Sequence, residues 1–360
     1  MFPGMLRLLA SIAVLLLVPA ATARAARPFT ITVAGANPHV AMEANGTAHV
    51  TWNHDLPSGG FETHYCRVPR SSRRCAPGSE RVFGPFNARD YSAEPVVLLG
   101  APRLVVVVTS DSPPTGSSTV RYVSLDGGKT FDGGAVIGTL RLEAAALGGN
   151  GTVGLAGVGD DSAFQLASLS APAAGLAPIT PGANSGDQEL VFADPAHPLV
   201  LVGTGEDSYA VKRWSGVGSP NDGAQWLPVT SVRSLESDLV HGKRGTYLVT
   251  GTGLTPSRFS VRSYDARRNR FRRPRSLGIR GSFAAAATDR RGDVHIALDG
   301  RTGIEERATR GRRLGPIHTL FRHQSSAYSI DLAVARPGRG LVVWSSAAGG
   351  SEGRIRAVRL

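Results

Sequence analysis

Beyond its first twenty residues, the chain has no uninterrupted apolar stretch long enough to cross a bilayer. The nearest approach, VVLLGAPRLVVVV, is broken by Gly100, Pro102 and Arg103 and reads as two strands and a turn. Amphipathic helical periodicity is also missing, which removes helical bundles from consideration. Cysteine is limited to Cys66 and Cys75. Two thiols are too few for a metal site of their own, and a reactive exported thiol would not have a second one so near. Lysine is limited to Lys129, Lys212 and Lys243 within a Lys+Arg total of 40. The histidines do not gather either, since His54 and His64 complete no compact ligand cluster with His49.

What is present begins with an export signal. Arg7 precedes the apolar run Leu8 to Val18, Pro19 closes it, and Ala21-Thr22-Ala23 or Ala23-Arg24-Ala25 offers small residues for cleavage. Residues 1–25 are therefore expected to be removed, leaving 26–360 as one secreted, soluble domain with no membrane span. In that compartment Cys66 and Cys75, which enclose RVPRSSRR, are expected to form a disulfide. The formal charge is +12, and loss of Arg7 and Arg24 leaves 12 − 2 = +10. Such a surplus reads either as arginine used as the default surface cation or as a surface for an anionic partner.

One unit recurs along the rest of the chain: a turn followed by a short β-branched strand. The strands are AHVTWN (48–53), LVVVVTS (104–110), TVGLAG (152–157), LVLVGT (199–204), TYLVTG (246–251), VHIALD (294–299) and LVVWSS (341–346). The third residue of each preceding turn falls at 47, 103, 152, 198, 246, 293 and 340, so the spacings are 56, 49, 46, 48, 47 and 47. A period of this length with several strands in each repeat indicates propeller blades. The expected fold is all-β, a seven-bladed propeller of four-stranded antiparallel blades. FTITVAG (29–35) is left over at the front and is expected to pair with Arg354–Leu360, closing the ring and removing exposed sheet edges. Asn45-Gly46-Thr47 fits a glycosylation sequon but is read as the turn of blade one.

Twenty-one residues after the second turn stands SLDGGKTF (124–131). Its Ser124, Asp126, Gly128, Thr130 and Phe131 match the Ser-x-Asp-x-Gly-x-Thr-aromatic pattern, and the chain thereby resembles the Asp-box (BNR-repeat) sialidase-like β-propellers. SPNDGAQW (219–226) is a worn copy at the same offset in blade four, and SYDARRNRF (263–271) a weaker one in blade five. The physical role expected of the motif is to hold an outer hairpin. Asp126 accepts bonds from turn N–H groups, Gly128 adopts a backbone conformation closed to other residues, and Phe131 tucks under the hairpin. In the family resembled, these boxes lie away from the catalytic pocket, so the motif bears on fold and not on chemistry. That family's catalytic members are six-bladed and use three arginines, a Tyr–Glu pair and an Asp. The nearest match to their first arginine motif is Arg67-Val68-Pro69, expected on an outer hairpin, and no catalytic residue is carried over.

Candidate binding residues come instead from the repeat. Glu94, Glu143, Glu189 and Asp331 each stand nine residues before their turn position, and Asp238 stands eight before. Blade one has His39 near this place and blade six the uncharged GSFAA. Five carboxylates are thus expected near the mouth of the central channel. One reading has them bonding backbone groups between blades, and the other has them binding a cation, for which oxygen ligands suit Ca²⁺. Asp160, Asp161, Glu206, Asp207, Asp299, Glu305 and Glu306 are expected on loops of the same face. Arg267, Arg268, Arg270, Arg272, Arg273 and Arg275, with Phe271 among them, form a basic patch on blade five. His49 and His295 occupy equivalent blade positions and are expected to pack rather than to ligate. The implied function is extracellular recognition of a glycan, an anionic cell-wall or cell-surface polymer or a protein by a monomer. Sialidase-like or other glycoside hydrolysis is the alternative, and nucleic acid is not an expected partner.

Overall fold

The structure is a computed structural model that describes residues 27–87, 94–111, 116–148, 151–158, 162–170, 172, 177–180, 188–194, 197–205, 208–215, 226–234, 236–252, 256–300, 303–311, 313–322, 327–347 and 353–360. The expected signal segment and Asp160, Asp161, Glu206 and Asp207 lie outside these residues, as does all of SPNDGAQW except Trp226.

Every regular element described is a strand. The chain opens with β1 (Phe29–Met42), β2 (Ala48–Asp55), β3 (Phe61–Val68) and β4 (Arg81–Phe86). It continues through β5 (Val96–Gly100), β6 (Leu104–Asp111), β7 (Ser118–Ser124) and β8 (Ala135–Gly138), then β9 (Arg141–Leu147), β10 (Thr152–Val158), β11 (Ser162–Ser168) and β12 (Ala177–Thr180). There follow β13 (Glu189–Asp194), β14 (His197–Gly205), β15 (Ser208–Trp214) and β16 (Trp226–Arg233), and then β17 (Glu236–Gly242), β18 (Gly245–Thr252), β19 (Ser257–Asp265) and the short β20 (Arg270–Phe271). The last are β21 (Arg275–Thr288), β22 (Val294–Gly300), β23 (Gly303–Arg310), β24 (Arg313–Arg322), β25 (Ala327–Arg336), β26 (Arg339–Ala347) and β27 (Gly353–Arg359). All seven strands anticipated after the turns are here, as β2, β6, β10, β14, β18, β22 and β26. Among the described residues no helix is long and apolar enough to cross a membrane.

Pairing is antiparallel and meandering. The strands β5–β8, β9–β12 and β13–β16 each make a four-stranded sheet. Two longer sheets arise because one strand in each changes partner halfway. The first half of β1 pairs with β27, with Phe29 opposite Ala357 and Gly35 opposite Gly353. Its second half pairs with β2, from Ala36 opposite Asn53 to Met42 opposite Ala48. Likewise β21 leaves β19 after Gly281 and joins β22 from Ala284 onward.

The core lies between sheets rather than inside any one of them. Along β6, Val105 and Val107 pack with Phe61, Tyr65 and Phe83 of the preceding sheet. Val106 and Val108 point the other way, to Leu142, Val153 and Leu155 of the following one. Both faces are buried, which is why the sequence reads as an unbroken apolar run and not as alternation. The same arrangement repeats down the chain. It ends with Val50, Trp52 and Cys66 packed against Leu341, Val343, Ile355 and Ala357, so the beginning and the end of the chain share a core. The Cys66–Cys75 disulfide is formed at that junction. Its loop also receives the Arg359 guanidinium, which donates from Nη2 to the carbonyls of Pro69 (2.6 Å) and Ser72 (3.2 Å).

Trp344 is 2% exposed in the core shared with β22, β23 and β25. Trp344→Ala is expected to lower the unfolding free energy by about 3–5 kcal/mol, measured as a shift in the urea midpoint at unchanged m-value.

Candidate functional site

The innermost strand of each group begins at the same end of the molecule. β1 touches β5, β5 touches β9, and the succession runs through β13, β17, β21 and β25 back to β1. Residues from or just ahead of all these strands line one cavity of about 480 Å³. Glu94, Glu143, Glu189, Asp238 and Asp331 all line it, with His39 and Gln188. The stretch GSFAA supplies an apolar segment of wall, Phe283, Ala284 and Ala285. Among the described residues no lysine, arginine or tyrosine lines it. Gln188 was not anticipated, although the signal was its position next to Glu189, at the start of the same inner strand.

Two of the acids are bonded across neighbouring groups. Asp331 Oδ2 accepts from the Val40 N–H at 2.6 Å, and its Oδ1 from the Leu332 N–H at 2.7 Å. Asp238 Oδ2 accepts from the Ala286 N–H. His39 does the same job in the first group, where Nδ1 accepts from the Val97 N–H at 3.3 Å, so the proton of the neutral ring is on Nε2. That nitrogen pair with Asp331 is longer, at 3.8 Å from His39 Nδ1 to Asp331 Oδ2. Gln188 Nε2 donates to the Gly157 carbonyl at 3.0 Å. The repeated position therefore serves a repeated structural need at Asp238, Asp331 and His39. Glu143 is 6% exposed, with Arg141 Nη2 3.5 Å from its Oε1. Glu94 is exposed and Glu189 half-buried.

The crowding has an electrostatic consequence. Loss of hydration pushes the Asp238 carboxyl up to about 7, its bond from Ala286 opposes this, and the negative charge of Asp331 adds to it. Among the described residues no group of three or more His, Cys, Asp or Glu side chains could hold a metal ion.

The SLDGGKTF hairpin is elsewhere, after β7. Asp126 Oδ1 accepts from Ser124 Oγ (2.7 Å), Lys129 N (2.8 Å) and Thr130 N (3.0 Å), while Oδ2 accepts from Thr130 Oγ1 (2.7 Å). The Thr130 hydroxyl and N–H, then Ser124, hold this carboxyl well below the usual range. Gly128 has φ +79°, and an added Cβ would stand 1.7 Å from the Tyr65 hydroxyl. Phe131 joins the cluster that holds Val120 and Tyr122 of β7. It packs edge-on against Tyr65 (5.0 Å) and Phe83 (5.2 Å) of the preceding sheet. Trp226 reaches back in the same way to Phe164 at 4.8 Å. Phe271 packs inward with Tyr264 against the β13–β16 sheet, so it is not part of the basic surface around it. Arg267, Arg268, Arg270, Arg272 and Arg273 are exposed and Arg275 is half-buried.

Three acids expected on loops are on strands. Asp299 is in β22, 4% exposed, and accepts from the Ala327 N–H at 2.9 Å. Glu305 and Glu306 are in β23, and Glu306 is 6% exposed with Oε1 2.8 Å from His295 Nδ1. The strands extend further than the acid spacing suggests, with β22 and β23 paired up to Gly300 and Gly303. His49 is buried between Tyr65 Oη (2.7 Å) and Glu43 Oε1 (3.1 Å), and its ring is easier to deprotonate than a free imidazole because burial outweighs the Glu43 bond. Arg67 sits on β3 opposite His49 and does not line the cavity.

No protein-family model and no curated protein matches the chain by sequence. Solved structures do. The β-propeller domain of the Trilobed protease from Pyrococcus furiosus, described as having an open velcro topology, superposes with a TM-score of 0.53 at 10% identity over 90% of this chain and 97% of that one. AofleA from Arthrobotrys oligospora gives 0.52 at 12% identity over 92% and 91%, and a protein of unknown function from Dyadobacter fermentans 0.52 at 12% over 93% and 99%. The fold is therefore that of a β-propeller.

The two aspartates predict opposite pH behaviour. Asp126 is depressed, so its contribution to stability is present above about pH 4 and is lost as pH falls further. Asp126→Asn should remove that acid-side component and lower stability at pH 7. Asp238 is raised, so the folded chain holds a proton between about pH 4 and pH 7 that the unfolded chain has released, and stability falls as pH rises across that window. Asp238→Asn keeps an acceptor for the Ala286 N–H and should be more stable than wild type at pH 8 but not at pH 4. Urea unfolding at pH 4, 6 and 8 measures both.

Proposed function

We propose that the chain is a secreted, monomeric, seven-bladed β-propeller of Asp-box (BNR-repeat, sialidase-like) type. In this reading it is a non-catalytic recognition module whose central cavity receives a positively charged group of its ligand. Dividing β1 and β21 where they change partners gives seven four-stranded units, and the pairing of β1 with β27 supports closure by the N-terminal strand. The Asp126 bonding pattern supports the Asp-box reading, and the formed disulfide is consistent with export.

The observation that carries the binding reading is the convergence of five carboxylates on a cavity whose described lining holds no lysine or arginine, inside a chain of net charge +12. A volume of about 480 Å³ is that of a small-molecule or side-chain pocket. An ammonium about 4 Å from one carboxylate gains roughly 4 kcal/mol at an effective dielectric of 20 before desolvation is counted. The apolar wall at Phe283 to Ala285 suits an organic cation, an amine with carbon attached, better than a hydrated metal ion.

Glycoside hydrolysis is the second reading, and Asp238 favours it. A carboxyl kept protonated to about pH 7 beside a second aspartate is the division of roles that an acid catalyst and its partner need. Within that reading a sialic acid fits poorly, because its carboxylate would enter a lining crowded with other acids.

Mature protein titrated calorimetrically with spermidine and with tri-lysine at pH 8 is expected to bind both. Glu94→Gln with Glu189→Gln should weaken binding at least tenfold, and calcium should compete poorly. Calcium binding in preference to the amines would replace the organic cation with a metal. Turnover of any fluorogenic glycoside between pH 4 and 8 that disappears in Asp238→Asn would replace recognition with hydrolysis.

A further inference from the structure

A second charged feature lies on the rim and owes nothing to the cavity. Between residues 258 and 280 stand nine arginines and one acid, Asp265. The whole chain has 40 − 3 = 37 arginines, so about a quarter of them fall in this one segment. The structure lays them out along a single element, the outer hairpin of β19, β20 and the first half of β21.

The hairpin is held from behind. Tyr264 and Phe271 pack inward, and Tyr264 Oη donates to Asn269 Oδ1 at 2.7 Å across the turn. Seven of the nine arginines are exposed, and Arg262 and Arg275 are half-buried. Arg258 and Arg280 are direct cross-strand partners, and both are exposed. Like charges placed opposite each other on two strands destabilise the sheet. Arg267, Arg268, Arg270 and Arg273 continue the strip around the turn, and Asp265 engages Arg272 at 3.4 Å. From Arg258 to Asp265 the strand runs roughly 23 Å at about 3.3 Å per residue. The strip is therefore long and narrow, and it is self-repelling.

We propose that this strip binds a linear acidic polysaccharide. Guanidinium forks match carboxylate and sulfate oxygens in pairs, and a row of them matches anionic groups repeated along a chain rather than a single small ion. The three aromatics of the hairpin, Phe259, Tyr264 and Phe271, are turned into the core, so the strip has charge but no stacking platform of the kind that single-stranded nucleic acid uses. A bound polyanion also offsets the repulsion between Arg258 and Arg280.

The test is fluorescence anisotropy of a labelled heparin oligosaccharide with mature protein. Two variants remove the same charge: Arg268→Gln/Arg270→Gln/Arg273→Gln on the strip, and Arg70→Gln/Arg73→Gln/Arg74→Gln on the exposed disulfide loop. The strip variant is expected to lose at least tenfold in affinity and the loop variant less than threefold, with unfolding midpoints and spermidine binding unchanged in both. Binding should also weaken at least tenfold between 50 and 300 mM NaCl, as an approximate scale for several released counterions. Equal losses in the two variants would reduce the effect to bulk charge and overturn the proposal. A single-stranded DNA of equal charge that binds tighter than heparin would overturn the choice of partner.

Discussion

Every sheet of this protein is apolar on both faces, and neither face can be left in water. That constraint organises the molecule. A sheet such as β5–β8 has no interior of its own. Its odd valines need the preceding sheet and its even valines the following one. The two halves of the sheet that β1 joins to β27 have the same need, and Trp52 and Val343 end in one core. The cavity is a by-product of that geometry. Inner strands brought round to face one another leave a space in the middle, and whatever stands at the start of each strand looks into it.

Much of this was legible in the sequence because turns are local. The residues in NGT, RGT, RGD and GRG punctuate the chain at nearly constant spacing, and the strands after them appear where the spacing puts them. The register of the five acids was legible for the same reason. What they do was not. Whether Asp238 and Asp331 are free for a ligand or bonded to Ala286 and Val40 depends on contacts some fifty and nearly three hundred residues away. The direction of Phe131 was hidden similarly, since a pattern fixes that an aromatic is present and not which sheet it enters. Glu305 and Glu306 look like loop residues by charge, and only their pairing with Leu298 and Ala297 shows that they stand on a strand.

The charges divide by place. Carboxylates gather where inner strands converge, and arginines gather on the outer hairpin of β19 to β21. Within the cavity the low hydration that makes a carboxylate a strong partner for a cation also makes it reluctant to ionise, and Asp238 shows that conflict directly. On the rim, water screens each arginine, and only their number along a line makes them cohesive toward a partner. The two regions thus require different ligands and different tests, and neither borrows from the Asp126 hairpin, whose hydrogen bonds are spent on its own turn.

The pairing of β1 with β27 also orders events in time. The first half of β1 is the earliest part of the described fold to be synthesised, yet its partner is the last strand of the chain. Phe29 waits for Ala357. Until the C-terminal residues are available, the sheet that joins the two ends cannot be assembled, and the faces next to it stay uncovered. This sheet is therefore completed last, when the grip of the Cys66–Cys75 loop on Arg359 can hold β27 in place beside β1.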